Sequence, residues 1–197
     1  MRVAMVDAGG ANLGSMRQAL RRLGVEPEVT ADAGAIASAD RVILPGVSTA
    51  AVVMRQLQAL GLVEVLRNLQ APLLGVCVGM QLLFEHSEEG DTPCLGLMTG
   101  RVRRLQPTPG VRVPHMGWNR LRMLRATPLV RDIGDGDFAY FVHGYAAAGD
   151  DCVMACDHDA RFAAVVQRGG VAGAQFHPER SGAVGARLLR NFIEAGA

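Results

Sequence analysis

A chain of 197 residues, 49% hydrophobic and 20% charged, is long enough to bury a large core, and a single domain over residues 1–197 is expected. Its formal net charge of +1 gives no reason to expect nucleic acid or an anionic membrane as a partner. All 20 basic residues are arginine, which excludes Schiff-base and P-loop lysine chemistry because both need an amine.

Met1 to Asp7 runs directly into a strand-like segment with no signal pattern, and no apolar run reaches the ~18 residues of a membrane helix. The four cysteines (77, 94, 152, 156) lack disulfide-framework spacing, so a cytoplasmic location is expected. Cys152 and Cys156, with His158 nearby, lack a matching second pair of ligands, so no metal site is expected there.

In chain order, Arg2 to Asp7 reads as a buried strand and Leu13 to Leu23 as a helix closed by Gly24. Val25 to Thr30 is a second strand, and Asp32 to Ala39 a short helical or loop crossover. Arg41 to Leu44 is a third strand, stopped by Pro45-Gly46. Thr49 to Leu60 and Leu62 to Gln70 read as helices broken at Gly61, with Ser48 or Thr49 as N-cap. Pro72 to Val76 is a fourth strand, and Met80 to Phe84 carries apolar residues at helical spacing. This alternation predicts an α/β fold with a parallel sheet, whose ligands sit at the carboxyl ends of the strands. Asp7, Pro45-Gly46 and Cys77 all fall at that edge. From about residue 94 the pattern turns to antiparallel β structure, with strands at 100–105 and 138–143 and a last helix from Gly185 to Glu194.

Gly75-Val76-Cys77-Val78-Gly79 has the form of a nucleophile elbow, a thiol at a sharp strand-to-helix turn with small neighbours on each side. A helix starting behind it favours the thiolate. Such a nucleophile needs a base and a group to orient that base. Of the five histidines, His86 falls in the helix after the elbow, on its solvent side, and His158 in a surface turn. His177 is delivered by an apolar strand and followed by Pro178-Glu179, so base and orienting carboxylate lie in one rigid piece. Oxyanion donors are expected from the Val78 amide and from Gly46-Val47.

Together, Pro45-Gly46-Val47, the stretch from Gly75 to Gln81, and Gln175-Phe176-His177-Pro178-Glu179 resemble a class I (triad) glutamine amidotransferase. Asn12-Leu13-Gly14-Ser15, Gln81-Leu82-Leu83-Phe84 with Ser87-Glu88-Glu89-Gly90, Pro114 to Asn119, and Tyr140 to His143 narrow the likeness. They are similar to blocks of the glutaminase subunits of imidazole glycerol phosphate synthase. The resemblance implies a flavodoxin-like α/β fold, with a central mostly parallel sheet flanked by helices and antiparallel strands added in the C-terminal half. It implies Cys77 as nucleophile, His177 as base and Glu179 as its orienter. Gly46, Val47 and Val78 would surround the oxyanion, and Gln81, Glu89, His143, Gly144 and Tyr145 would hold L-glutamine. Asn12, Trp118, Tyr140 and Arg180 would face the ammonia exit and a (β/α)₈-barrel cyclase subunit. No cofactor is expected.

The chain departs from the usual pattern at three positions. Ser48 stands where the family has glycine, Gly144 where it has serine or threonine, and Arg180 where it has lysine. Ser48 adds a Cβ beside the oxyanion strand, which bears on activation more than on the chemistry. An amidotransferase of another pathway, such as anthranilate or pyridoxal phosphate synthesis, and a scaffold disabled at Ser48 are the alternative readings.

Overall fold

In a computed structural model, which describes residues 1–9, 13–158 and 160–194, the first half of the chain alternates strand and helix. Strands β1 (Val3–Val6), β2 (Glu28–Thr30), β3 (Arg41–Gly46) and β4 (Leu73–Cys77) alternate with helices α1 (Leu13–Arg22), α2 (Ala33–Ala37), α3 (Ala50–Ala59) and α4 (Leu62–Arg67). β1 and β4 are buried along their whole length, as strands covered on both faces must be, and so read as continuous apolar runs. Helix α1 buries Met16, Ala19 and Leu20, one stripe at three- and four-residue spacing. It ends in a Schellman turn: Val25 N–H donates to Leu20 O at 3.0 Å and Gly24 N–H to Arg21 O at 2.9 Å. Gly24, at φ +81°, supplies the left-handed residue this turn requires.

The one-turn helix α5 (Val78–Gln81) follows, then β5 (His86–Ser87), β6 (Thr92–Pro93), β7 (Arg101–Arg104), β8 (His115–Arg120) and β9 (Arg122–Met123). The chain finishes with β10 (Phe138–His143), β11 (Tyr145–Ala147), β12 (Cys152–Asp157), β13 (Arg161–Arg168), β14 (Val171–Ala174) and α6 (Gly182–Glu194). The main sheet has eight strands in the order β2-β1-β3-β4-β14-β13-β12-β9. From β2 to β14 neighbours run parallel, and β13, β12 and β9 extend the sheet antiparallel. The mostly parallel sheet with antiparallel additions from the second half is thus the fold the chain adopts.

Two further sheets stand beside it, β10 with β8 and the four-stranded β11-β7-β5-β6. In the β8–β10 pair, Ala139, Phe141, His143 and His115 point inward, while Met116, Trp118 and Phe138 are exposed at 65%, 56% and 45%. That leaves an apolar, aromatic outer face. No helix among the described residues is long and apolar enough to cross a membrane.

Several boundaries differ from the sequence expectation for identifiable reasons. Pro45-Gly46 does not stop the third strand, because β3 pairs with β4 through Pro45↔Val76 and Gly46↔Cys77. On its other side the pairing with β1 ends at Met5↔Ile43, so the missing proline N–H leaves no ladder bond broken. The helix after the elbow lasts four residues and does not continue to Phe84. The carbonyls of Leu82, Leu83 and Phe84 instead accept the amides of Leu95, Met98 and Gly96 at 2.8–2.9 Å. This segment is apolar on every side because it is buried on every side, which imitates helical spacing.

The elbow is packed with backbone against backbone. A Cβ on Gly79 would lie 1.8 Å from the Leu44 carbonyl oxygen, and one on Gly75 would lie 2.5 Å from Gly79 O. Gly79→Ala is therefore expected to cost about 3 kcal/mol or more. In a chain of this size that lowers Tm by roughly 6–12 °C by calorimetry. Gly24→Ala, strained in φ but facing open space, is expected to cost only about 1–2 kcal/mol. Equal melting shifts for the two variants would show that the close approach does not shape the elbow.

Candidate active site

Cys77 is the last residue of β4 and the residue that opens α5, with φ 54° and ψ −112°. A non-glycine residue held there stores on the order of 1–3 kcal/mol of strain, which the surrounding packing must offset. The conformation turns the thiol out of the sheet edge into a cleft of about 490 Å³. The cleft is lined by Val47, Ser48, Cys77, Val78, Gln81, Glu89, Pro114, Val142, His143, Gly144, Tyr145, His177 and Arg180. Its size suits a single amino acid with room for water.

His177 follows β14, which lies parallel beside β4, and so reaches the same edge as Cys77. Its Nδ1 is 2.9 Å from Glu179 Oε1, and the Glu179 side chain is 1% exposed. A short 3-10 turn (Pro178–Arg180) carries the carboxylate back to the ring. The loop is pinned at two more points. His177 N–H donates to Tyr140 O at 2.9 Å, and Ser181 Oγ donates to His177 O at 2.7 Å. Burial lowers the His177 pKa, but the hydrogen bonds and charges of Cys77 and Glu179 outweigh it and raise the ring to about 10. The shift favours the imidazolium form of His177 beside the sulfur. Its stabilising contribution is complete below the ordinary histidine value of 6.5 and is lost as the pH rises through about 10.

Of the residues expected around an oxyanion, Gly46 pairs with Cys77 across β3 and β4, while Val47, followed by Ser48, lies along the cleft wall. Val78 follows the thiol as the first residue of the one-turn helix, where the first N–H groups have no partner within the helix. With so short a helix, these local N–H groups, and not a long macrodipole, supply the positive potential at the sulfur. Thr49, not Ser48, is the N-cap of α3, its Oγ1 accepting from Val52 N–H at 3.4 Å.

The remaining sequence-predicted residues fall in two groups. Gln81, 2% exposed, donates from Nε2 to Tyr145 O at 2.8 Å and to Gln175 Oε1 at 3.1 Å. Glu89 Oε2 accepts Ala50 N–H at 2.7 Å, which holds a carboxylate in the cleft wall at the start of α3. His143, Gly144 and Tyr145 line the opposite wall. Trp118 lies outside the cleft, edge-on to Tyr140 with ring centroids 5.9 Å apart. The Arg180 guanidinium sits 5.3 Å from the Tyr140 ring centre and also borders the cleft, so it links the two groups. Asn12 lies outside the described residues.

The structure also corrects two histidines and adds residues the sequence did not single out. His86 lies in β5 and not in a helix, with Nε2 3.0 Å from Asp91 Oδ1. His158 is no free surface residue: its ring stacks on His115 at 4.0 Å, and its Nε2 donates to Arg112 O at 2.8 Å. Gln175 is fully buried, and its Nε2 lies 3.9 Å from the Cys77 sulfur. Its signal was available, as the one polar residue in the apolar run from Val171 to Phe176. His115, 4% exposed, points inward from β8 to His143.

A thiol, an imidazolium, an orienting carboxylate and facing amides in one cleft can perform acyl transfer from an amide or ester. The model of the class-I glutamine amidotransferase family matches residues 4–195. The chain is 61% identical over 196 residues to imidazole glycerol phosphate synthase subunit HisH of Xylella fastidiosa strain Temecula1, covering 99% of this chain and 98% of that one. It is 60% identical over 193 residues to the same subunit of Xanthomonas oryzae pv. oryzae strain MAFF 311018, covering 98% and 96%. Among solved structures, a putative GMP synthase protein from Thermoplasma acidophilum superposes with TM-score 0.76 at 19% identity, covering 98% of this chain and 92% of that one. PurLQS from Thermotoga maritima superposes with TM-score 0.70 at 22% identity, covering 98% and 97%, and both likenesses are of fold. The chain belongs to the class-I glutamine amidotransferase family, within its group of HisH subunits.

Proposed function

We propose that this chain is the cytoplasmic glutaminase subunit of an imidazole glycerol phosphate synthase, acting in histidine biosynthesis. The observation that carries the reading is the His177–Glu179 pair at 2.9 Å set against the strained Cys77 in a cleft that also holds Gln81 and Glu89. No metal or cofactor enters the scheme.

The Cys77 thiolate attacks the glutamine side-chain carboxamide, and the developing oxyanion is met by the Val78 amide and by an amide of the Gly46-Val47 segment. His177, held protonated, gives its proton to the leaving nitrogen, so ammonia departs and a glutamyl thioester remains. Neutral His177 then takes a proton from water, which attacks the thioester. Glutamate leaves, and the thiolate–imidazolium pair returns. Glu179 keeps the ring in one tautomer and orientation throughout. Glu89 matches the substrate ammonium in charge, and Gln81 with the His143-Gly144-Tyr145 wall shapes the opposite side.

The outer face of β8 and β10, with Met116, Trp118 and Phe138 exposed, is the surface for the partner, a (β/α)₈-barrel cyclase. Arg180 and Tyr140 stand between that face and the cleft, at the exit for ammonia. The cyclase uses the ammonia to make imidazole glycerol phosphate and the aminoimidazole-carboxamide ribotide. Ser48 borders the oxyanion segment, and its Cβ restrains rotation of that peptide on activation.

Glutamate release by the chain mixed with its cyclase tests the reading, and Cys77→Ala is expected to abolish it. Wild-type rates in that variant would refute the mechanism. Glu179→Gln is expected to lower kcat by on the order of a hundredfold or more. In NMR titrations, His177 is expected to titrate far above the ordinary histidine range in the wild type and to move back toward it in Glu179→Gln. Trp118→Ala is expected to weaken cyclase binding by about thirtyfold or more, as loss of an aromatic anchor does, with Tm unchanged. Unchanged affinity by calorimetric titration would move the interface elsewhere.

A further inference from the structure

Behind the cleft wall, two buried histidines and an asparagine form a hydrogen-bonded chain with only one consistent arrangement of protons. Tyr145 O is an acceptor, so His143 Nδ1, 2.8 Å away, must carry a hydrogen. Burial lowers the His143 pKa to about 3, against the hydrogen bond to Tyr145 O, and burial with the neighbouring His158 lowers that of His115 to about 4. Both rings are neutral at physiological pH. His143 Nε2 is therefore an acceptor, and His115 Nδ1, 3.0 Å from it, is the donor. His115 Nε2 must then accept, and Asn119 Nδ2 lies 3.2 Å away. The Asn119 amide is held in the donating sense, because its Oδ1 accepts Arg120 N–H at 2.7 Å and its Nδ2 also donates to Asp157 O at 2.9 Å. Each member has one role, running from the β8 strand to the cleft.

At its far end the chain meets the substrate-facing residues. Tyr145 O accepts both His143 Nδ1–H and Gln81 Nε2–H, each at 2.8 Å, which occupies both of its lone pairs. The second Nε2 hydrogen of Gln81 goes to Gln175 Oε1 at 3.1 Å. With both hydrogens committed, the Gln81 amide presents only its carbonyl oxygen to a further partner. A bound molecule must offer that oxygen a hydrogen-bond donor, and the N–H groups of glutamine meet that need. Phe141 and Phe162, with ring centroids 5.0 and 5.7 Å from that of His115, wall the relay off from water.

We propose that His115 is a positioning residue for the glutamine site, whose Nδ1–H, relayed through His143 and the Tyr145 carbonyl, sets the orientation of the Gln81 amide. The inference rests on the glutaminase reading and deepens it. His115 touches neither substrate nor thiol, so its effect falls on glutamine binding and not on the chemical step.

The test compares His115→Phe, which keeps the ring volume without a donor, with His115→Asn, whose side-chain N–H takes the place of Nδ1–H. Both are assayed as the complex with the cyclase. His115→Phe is expected to raise the KM for glutamine about tenfold with kcat within about threefold of wild type, a loss typical of a buried acceptor left unpaired. His115→Asn is expected to bring KM back to within about threefold of wild type. A wild-type KM in His115→Phe, or a fall in kcat at unchanged KM, overturns the proposal. A second measurement needs no variant: ¹⁵N shifts of the wild-type imidazoles are expected to show His115 and His143 both protonated at Nδ1. An Nε2–H tautomer at His143 overturns the proposal even if His115→Phe fails to fold. Absence of glutamine hydrolysis in the wild-type complex overturns the functional reading and this one with it, whereas hydrolysis with an unmoved His115→Phe KM overturns this one alone.

Discussion

The close approach of the elbow to strand β3 is the constraint on which the rest of the site depends. Gly79 lies against the Leu44 carbonyl with no space for a side chain, and Gly75 lies against Gly79. Only with these backbones in contact can the chain leave β4, turn through Cys77 at φ 54° and start α5 within one residue. The strain at Cys77 is small against the surrounding burial, where Leu44, Leu74, Met80 and Leu83 are each fully enclosed. The packing thus turns Cys77 toward the cleft while the residue stays buried, 4% exposed.

A second organising element is β10. Its outer side meets Trp118 through Tyr140, and its inner side places Val142 O 3.7 Å from the Cys77 sulfur. The backbone of Tyr140 also accepts His177 N–H, and its N–H donates to Ser181 Oγ at 3.0 Å. One strand therefore supports the histidine loop, one wall of the cleft and the exposed aromatic face. The His115–His143 chain joins this strand at its last residue, His143, which lines the cleft.

Much of the site was legible in the sequence because its chemistry is local. The elbow needs small residues two positions on each side of the thiol, and His177 and Glu179, the proposed base and its orienter, sit on either side of one proline. Short-range patterns of that kind survive as motifs. Long-range partners do not. Gln175 is an ordinary polar residue until β14 is laid beside β4, and His115 belongs to an alternating strand whose inward side is unknown until β8 pairs with β10. His158 looked like a turn residue because the ring that covers it comes from another sheet.

By itself, the sequence determined the alternation of strands and helices, the thiol at a strand end, and the His177-Pro178-Glu179 turn that meets it. Each follows from hydrophobic period, glycine placement or a proline-fixed turn, all properties of a few adjacent residues. Tertiary structure alone decided that β3 runs on through Pro45-Gly46, that the elbow helix lasts a single turn, and which polar groups face the sulfur. The reason is physical: a strand edge, a helix end and a hydrogen-bond direction are set by what the neighbouring element offers. In this fold the neighbours of Cys77 come from β3, β10 and the segment that follows β14, far apart along the chain.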